Sequence, residues 1–171
     1  MNKLGRKLLV AGLCACMAAA SLTGCGSKAG KAAVTVGDDT ASLGLVNLML
    51  RYNQAQMQSL YASFMGDNMW ETYGETTKNN VVESIENMFL MEQHMSDYGV
   101  SITDEDKTKI TDAAGKFIET NDEKTMKAMN ATQENVERLL TLYTVQSRMY
   151  NAIIADAACD RVSFFDARLQ A

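Results

Sequence analysis

The chain has 171 residues, with 16 Lys and Arg against 21 Asp and Glu and a formal net charge of −5. That acidic balance argues against nucleic acid as a partner, because nucleic-acid binding wants basic patches. The chain holds no proline, so the strongest helix breaker is missing and long helices are expected.

The N-terminus begins Met1-Asn2-Lys3-Leu4-Gly5-Arg6-Lys7, which is positive and free of acid. Leu8 to Leu22 is almost wholly apolar or small. This run of about fifteen residues is shorter than the roughly twenty a spanning helix needs. A basic start, a short apolar core and a small-residue exit describe an export signal over residues 1–24. Leu22-Thr23-Gly24-Cys25 then resembles a lipobox, the processing site of bacterial lipoproteins. That resemblance implies cleavage before Cys25 and a diacylglyceryl group on its sulfur. It places the chain on the extracytoplasmic face of a cell membrane, held by acyl chains sufficient for stable anchoring. Residues 25–32 are then the lipidated cysteine and a flexible tether, small, polar and slightly basic.

Lys3, Arg6 and Lys7 are the charges of residues 1–24, so residues 25–171 carry 13 Lys and Arg against 21 Asp and Glu, a balance of −8. Such a charge suits a body held off an anionic membrane. Cys14 and Cys16 leave with the signal, and Cys25 and Cys159 remain. With Cys25 acylated, no internal disulfide is available and the core must hold itself together. About 147 residues suffice for one domain with a real core.

In chain order, Ala33-Val34-Thr35-Val36 alternates as a short strand, Gly37-Asp38-Asp39 turns it, and Thr40-Ala41 returns. Ser42 caps a first helix over 43–65, with Leu43, Val46, Leu50, Met57, Leu60 and Phe64 at helical spacing. Gly66-Asp67-Asn68 breaks it, and residues 67–76 read as a loop or a short helical turn bearing Trp70 and Tyr73. A second helix runs from about 76 to 98, with Val82, Ile85, Met88, Phe89, Met95 and Tyr98 as its apolar stripe. Gly99 is its left-handed terminator, with Val100 as the apolar contact. Thr103 caps a third helix over about 104–119, whose first turn holds Asp104, Glu105 and Asp106. Ile110, Ala113, Ala114, Phe117 and Ile118 face inward. A short helix starts at Asn121-Asp122-Glu123 and ends near Asn130. Thr132 caps the last helix, about 133–157, with Val136, Leu139, Leu140, Tyr143, Tyr150, Ile153 and Ile154 inward. The fold class is all-α: a single domain of about five helices over 33–158, with a short N-terminal β-hairpin and a tail over 159–171.

No catalytic constellation and no cofactor or metal site is found. His94 is the only histidine and has no cysteine near it in sequence, so a zinc site lacks ligands. The acid pairs sit at turns and helix starts, where capping and the helix dipole account for them. Methionine is the unusual enrichment, with ten of the twelve beyond residue 48. Methionine fills cores and also lines surfaces that accept varied apolar partners. Met57 and Tyr61 on the first helix and Met88, Met91 and Met95 on the second are the candidate peptide contacts.

Val34-Thr35-Val36-Gly37-Asp38 leading into Ser42-Leu43, the stretch "ESIENMFLMEQHMSDYGVSITDEDKTKI" with Gly99-Val100-Ser101-Ile102-Thr103-Asp104-Glu105-Asp106, and the final "NATQENVERLLTLYTVQSRMYNAI" follow one another in a telling order. Together with the lipobox they resemble PrsA-like foldase lipoproteins and the SurA N-terminal domain, over roughly residues 33–157. The resemblance implies an extracytoplasmic chaperone whose helical body holds unfolded or newly exported polypeptides. Many members add a parvulin prolyl-isomerase domain. That domain would begin near Val162-Ser163, and the residues from Asp160 to Ala171 cannot contain it. A homodimer is compatible with this reading. Two alternatives stand beside it: the N-terminal part of a parvulin-type isomerase, and an adaptor lipoprotein for one partner.

Overall fold

The computed structural model describes residues 29–65 and 69–169, with backbone alone for 61–65, 69 and 158–169. The export signal and Cys25 lie outside the described residues. Strands β1 (Ala32–Val36) and β2 (Asp39–Ser42) form an antiparallel hairpin. Val34 pairs with Ala41 and Val36 with Asp39, with a register irregularity between Ala32 and Val34. The two-residue loop places Gly37 first, at φ 59°, a geometry that suits the right-handed twist of a hairpin. Gln93 pins this loop from below: its Nε2 donates to the Val36 carbonyl and to Asp39 Oδ2, both at 2.8 Å.

Five α-helices follow among the described residues: α1 (Leu43–Met65), α2 (Met69–Gln93), α3 (Asp104–Thr120), α4 (Glu123–Met129) and α5 (Gln133–Leu169). The expected all-α class with a short hairpin is therefore found. Its punctuation is where the sequence placed it. Ser42 Oγ accepts from the Leu45 N–H at 3.1 Å, and Thr132 Oγ1 from the Asn135 N–H at 3.2 Å. A 3-10 turn, Met95–Tyr98, separates α2 from its terminator Gly99, which sits at φ 64°. The Gly99 N–H donates to the Ser96 carbonyl and the Val100 N–H to the Met95 carbonyl, the paired bonds of a Schellman ending. Asn130 ends α4 in the same way at φ 57°.

Three helix readings are corrected. Residues 69–76 are the opening turns of one long helix rather than a loop or a separate short turn, so Trp70 and Tyr73 belong to α2. Gly74 has open space around it, so it costs only about 1 kcal/mol relative to alanine and does not break the helix. Trp70 Nε1 donates to Gln58 Oε1 at 2.9 Å and ties α2 back to α1. The α-helical part of α2 stops at Gln93 and not at Tyr98. Finally, α5 continues to Leu169, past the expected end at 157 and through the expected boundary at 158, because no Gly or Pro lies between 133 and 169.

The core is built where the hairpin, α1, α2 and α5 meet. Leu45, Val46, Leu48, Met49 and Leu50 are all buried, so this half of α1 is enclosed on most sides. Against it pack Val81, Ile85, Met88 and Phe89 of α2, and Val136, Leu139 and Leu142 of α5. Ala114 of α3 and Met126 of α4 close the margin. The expected inward residues at the far ends are not inward. Leu60 is 66% exposed, Ile154 66% and Tyr150 50%, and Ala113 is exposed too. Leu60, Tyr150 and Ile154 have the correct period but lie beyond the zone where helices cover one another, whereas Ala113 is on the outer side of α3 beside buried Ala114.

Asp106 locks α3 to α5. It completes a capping box with Thr103, and Arg148 grips both its oxygens at 2.7 and 2.6 Å while also donating to the Ser101 carbonyl. Hydrogen bonds from Arg148, then those from Thr103, hold the Asp106 carboxyl well below the usual carboxylate range. Lys107 lowers Asp104 in the same direction, and the Thr125 donors lower Asp122. A carboxyl depressed in the folded state stabilises the fold above its unfolded pKa, about 3.9 for Asp. That stability is lost as pH falls below about 4 toward the folded value. Asp106→Asn is expected to lower the melting temperature at pH 7 and to flatten its decline between pH 4 and pH 2. Thermal melts of both chains across that window check it.

Candidate functional site: a neutral groove between two helices

Antiparallel α1 and α2 leave a groove of about 340 Å³ on one side of their seam. From α1 it takes Met49, Asn53 and Met57, spaced four apart and so stacked on one helical face. From α2 it takes Tyr73, Thr76, Thr77, Asn80, Val81 and Ser84, again one face. The two faces meet at Thr77, whose Oγ1 lies 3.9 Å from Met57 Sδ.

Among the described residues no charged side chain lines this groove, although residues 25–171 carry −8. Its polar members are uncharged. Asn53 donates to the Met49 carbonyl at 2.9 Å and Thr77 to the Tyr73 carbonyl at 2.8 Å. Both are thus held against their own helices, Asn53 half-buried and Thr77 buried at the seam. Asn80, Thr76 and Ser84 add amide and hydroxyl groups along the rim. The floor is soft: Met49 is buried, Met57 half-buried, and Tyr73 is 40% exposed. From Met49 to Met57 the groove runs about 12 Å, the length of three to four extended residues. Flexible thioethers beside neutral hydrogen-bonding groups can take an apolar side chain and the adjoining peptide groups with little demand on sequence.

The candidate contacts divide. Met57 lines the groove. Met88 is corrected: it is fully buried among core residues and presents nothing to a ligand. Helical geometry turns it to the same side as Ile85 and the adjacent Phe89, so it fills the interior. Met91 and Met95 are half-buried and do not line the groove. The side chain of Tyr61 lies outside the described ones. Asn53, Thr77, Asn80 and Ser84 escape the sequence reading because polar positions between apolar ones read as ordinary solvated surface, and Tyr73 escapes it because it falls in the expected break at 67–76.

Other surface features are less built. A shallow cavity of about 410 Å³ lies at the end of α4, lined by Glu123, Met126, Lys127, Asn130, Ala131 and Thr132. Tyr150, Ile153 and Ile154 form an exposed apolar strip on α5. His94 Nδ1 lies 2.7 Å from Asp97 Oδ2 at the surface. Burial, with Tyr52 nearby, pushes the Tyr143 phenol up. Among the described residues no group of three or more His, Cys, Asp or Glu is placed to hold a metal ion. Among them, too, no helix is long and apolar enough to cross a membrane. The chain significantly matches no protein-family model, no curated protein and no solved structure.

Proposed function

We propose that this chain is a lipid-anchored, extracytoplasmic chaperone-like body that binds unfolded or newly exported polypeptides in the groove between α1 and α2. The observation that carries the reading is the groove itself: open, methionine-lined and, among the described residues, free of charge on an acidic body. A ligand of no fixed sequence needs shape-tolerant apolar contact and neutral hydrogen-bonding groups, and that is what lines it. The acidic balance adds solubility while an aggregation-prone segment is held. The anchor rests on the resemblance of Leu22-Thr23-Gly24-Cys25 to a lipobox. On this reading the chain works by binding, without a bond made or broken.

The test is aggregation of a reduced, unfolding secreted protein with and without the mature chain. Suppression at near-stoichiometric amounts is expected, with no acceleration of prolyl isomerisation in a proline-peptide assay. Cys25→Ala should move the chain out of the membrane fraction. Absence of suppression would overturn the chaperone reading, and a pull-down returning one stoichiometric protein would replace it with the adaptor alternative. Isomerase activity would point to the parvulin alternative.

A further inference from the structure

The chain entering the folded body is tied down before the first strand begins. The Leu43 N–H donates to the Lys31 carbonyl and the Gly44 N–H to the Ala29 carbonyl, both at 2.8 Å. These amides belong to the first turn of α1, where N–H groups have no partner inside the helix. The incoming segment supplies the acceptors. The approach is close. A Cβ on Gly44 would lie 2.8 Å from Asn135 Nδ2 and 3.3 Å from the Ala29 carbonyl oxygen. Glycine at 44 is therefore what lets residues 29–31 lie in the joint between α1 and α5. That joint is itself fixed. Asn135 donates to the Asn130 carbonyl at 2.9 Å, and Asn47 donates to Asn130 Oδ1 at 2.8 Å.

We infer that the leash between Cys25 and the folded body is only Gly26, Ser27 and Lys28, and that it holds the end where α1 and α5 begin against the lipid surface. The inference rests on the lipid-anchor reading and gives a shorter leash than the expected tether over 25–32. Four Cα steps, from Cys25 to Ala29, reach at most about 14 Å, against about 25 Å had the chain run free to Ala32. That end carries both signs, with Lys31, Lys124 and Lys127 against Asp122, Glu123 and Glu134. The leash, rather than a basic patch, sets the orientation. Along α1 the groove ends about 20 Å from Gly44. With the hydrogen-bonded step from Ala29 to Gly44 included, its far edge lies no more than about 40 Å from the bilayer, within reach of a polypeptide emerging there.

The experiment uses the lipidated mature chain on vesicles, with Cys159→Ser and one fluorophore at either Lys127→Cys or Leu60→Cys. Energy transfer to acceptor-labelled headgroups is expected to be several-fold stronger from position 127. An insertion of about twelve Gly and Ser residues after Lys28, which adds about 20 Å of mean reach, should largely erase the difference. Equal transfer from both positions in the parent chain, or a difference that survives the insertion, overturns the inference. Flotation separates the two ideas, since a chain that does not float with vesicles refutes the lipid anchor. The docked segment is then judged by hydrogen exchange on the same chain. The Leu43 and Gly44 amides should exchange about a hundredfold more slowly than in a free peptide, whereas free-peptide rates would refute the docking.

Discussion

Phe89→Ala is expected to cost the fold about 3–5 kcal/mol. The ring is fully buried, in one cluster with Leu48, Ile85, Met88 and Leu142. Removing it loses the transfer of an aromatic side chain from water and leaves a cavity that α2 and α5 cannot both collapse into. A second loss is specific to this site. The Arg138 guanidinium stands 5.3 Å above the ring centroid, and both its terminal nitrogens reach Glu92 at 2.6 Å. The ion pair is half-buried on that platform, so without the ring it becomes wetter and weaker. For a body of this size the melting temperature should fall by roughly 10 °C or more. Met88→Ala should cost about 2–5 kcal/mol by the same cavity argument. Leu60→Ala, at 66% exposure, should stay within about 0.5 kcal/mol. Denaturant midpoints at unchanged slope check all three, and a Phe89→Ala loss below about 1 kcal/mol would remove this ring from the core.

These contrasts show what could be read in advance. Caps were legible because they are local: Ser42, Thr103, Gly99 and Thr132 act on backbone groups within a few residues. Helix class was legible because breakers are scarce. Burial was not, because periodicity assigns a face and not a partner. Leu60 and Leu50 share the periodic stripe of one helix, yet Leu50 is 7% exposed and Leu60 66%. Only the reach of α2 and α5 over α1 decides between them. Met88 and Met91 pose the same problem three residues apart, the first fully buried and the second half-buried. The groove was half legible. Met57 is legible as a candidate contact, but its facing residues depend on the register of α1 against α2, which the expected break at 67–76 conceals. The docking of residues 29–31 on α1 is hidden for a similar reason. Gly26 to Ala32 has a flexible composition, and the bonds that hold its second half come from α1.

Met57→Glu combined with Tyr73→Glu is expected to weaken binding of unfolded polypeptide at least tenfold, about 1.4 kcal/mol, while leaving the fold within about 1 kcal/mol of the parent. The two effects separate because these two groove residues, unlike Met49 and Val81 beneath them, are not part of the buried core. Met57 is half-buried and Tyr73 is 40% exposed, so a carboxylate at either position can stay in water in the empty protein. A bound apolar segment would take that water away, and an unpaired carboxylate under it costs more than the lost methionine contact. Titration of a labelled, permanently unfolded polypeptide measures the affinity, and a melt of the same sample measures the fold. Ile154→Glu serves as the competing site, because it puts the same charge on the exposed strip of α5. Loss of binding in the groove variant alone would place the ligand between α1 and α2. Loss in the Ile154 variant alone would move it to α5, and the methionines of the groove would then be packing for a bundle whose working surface is its longest helix.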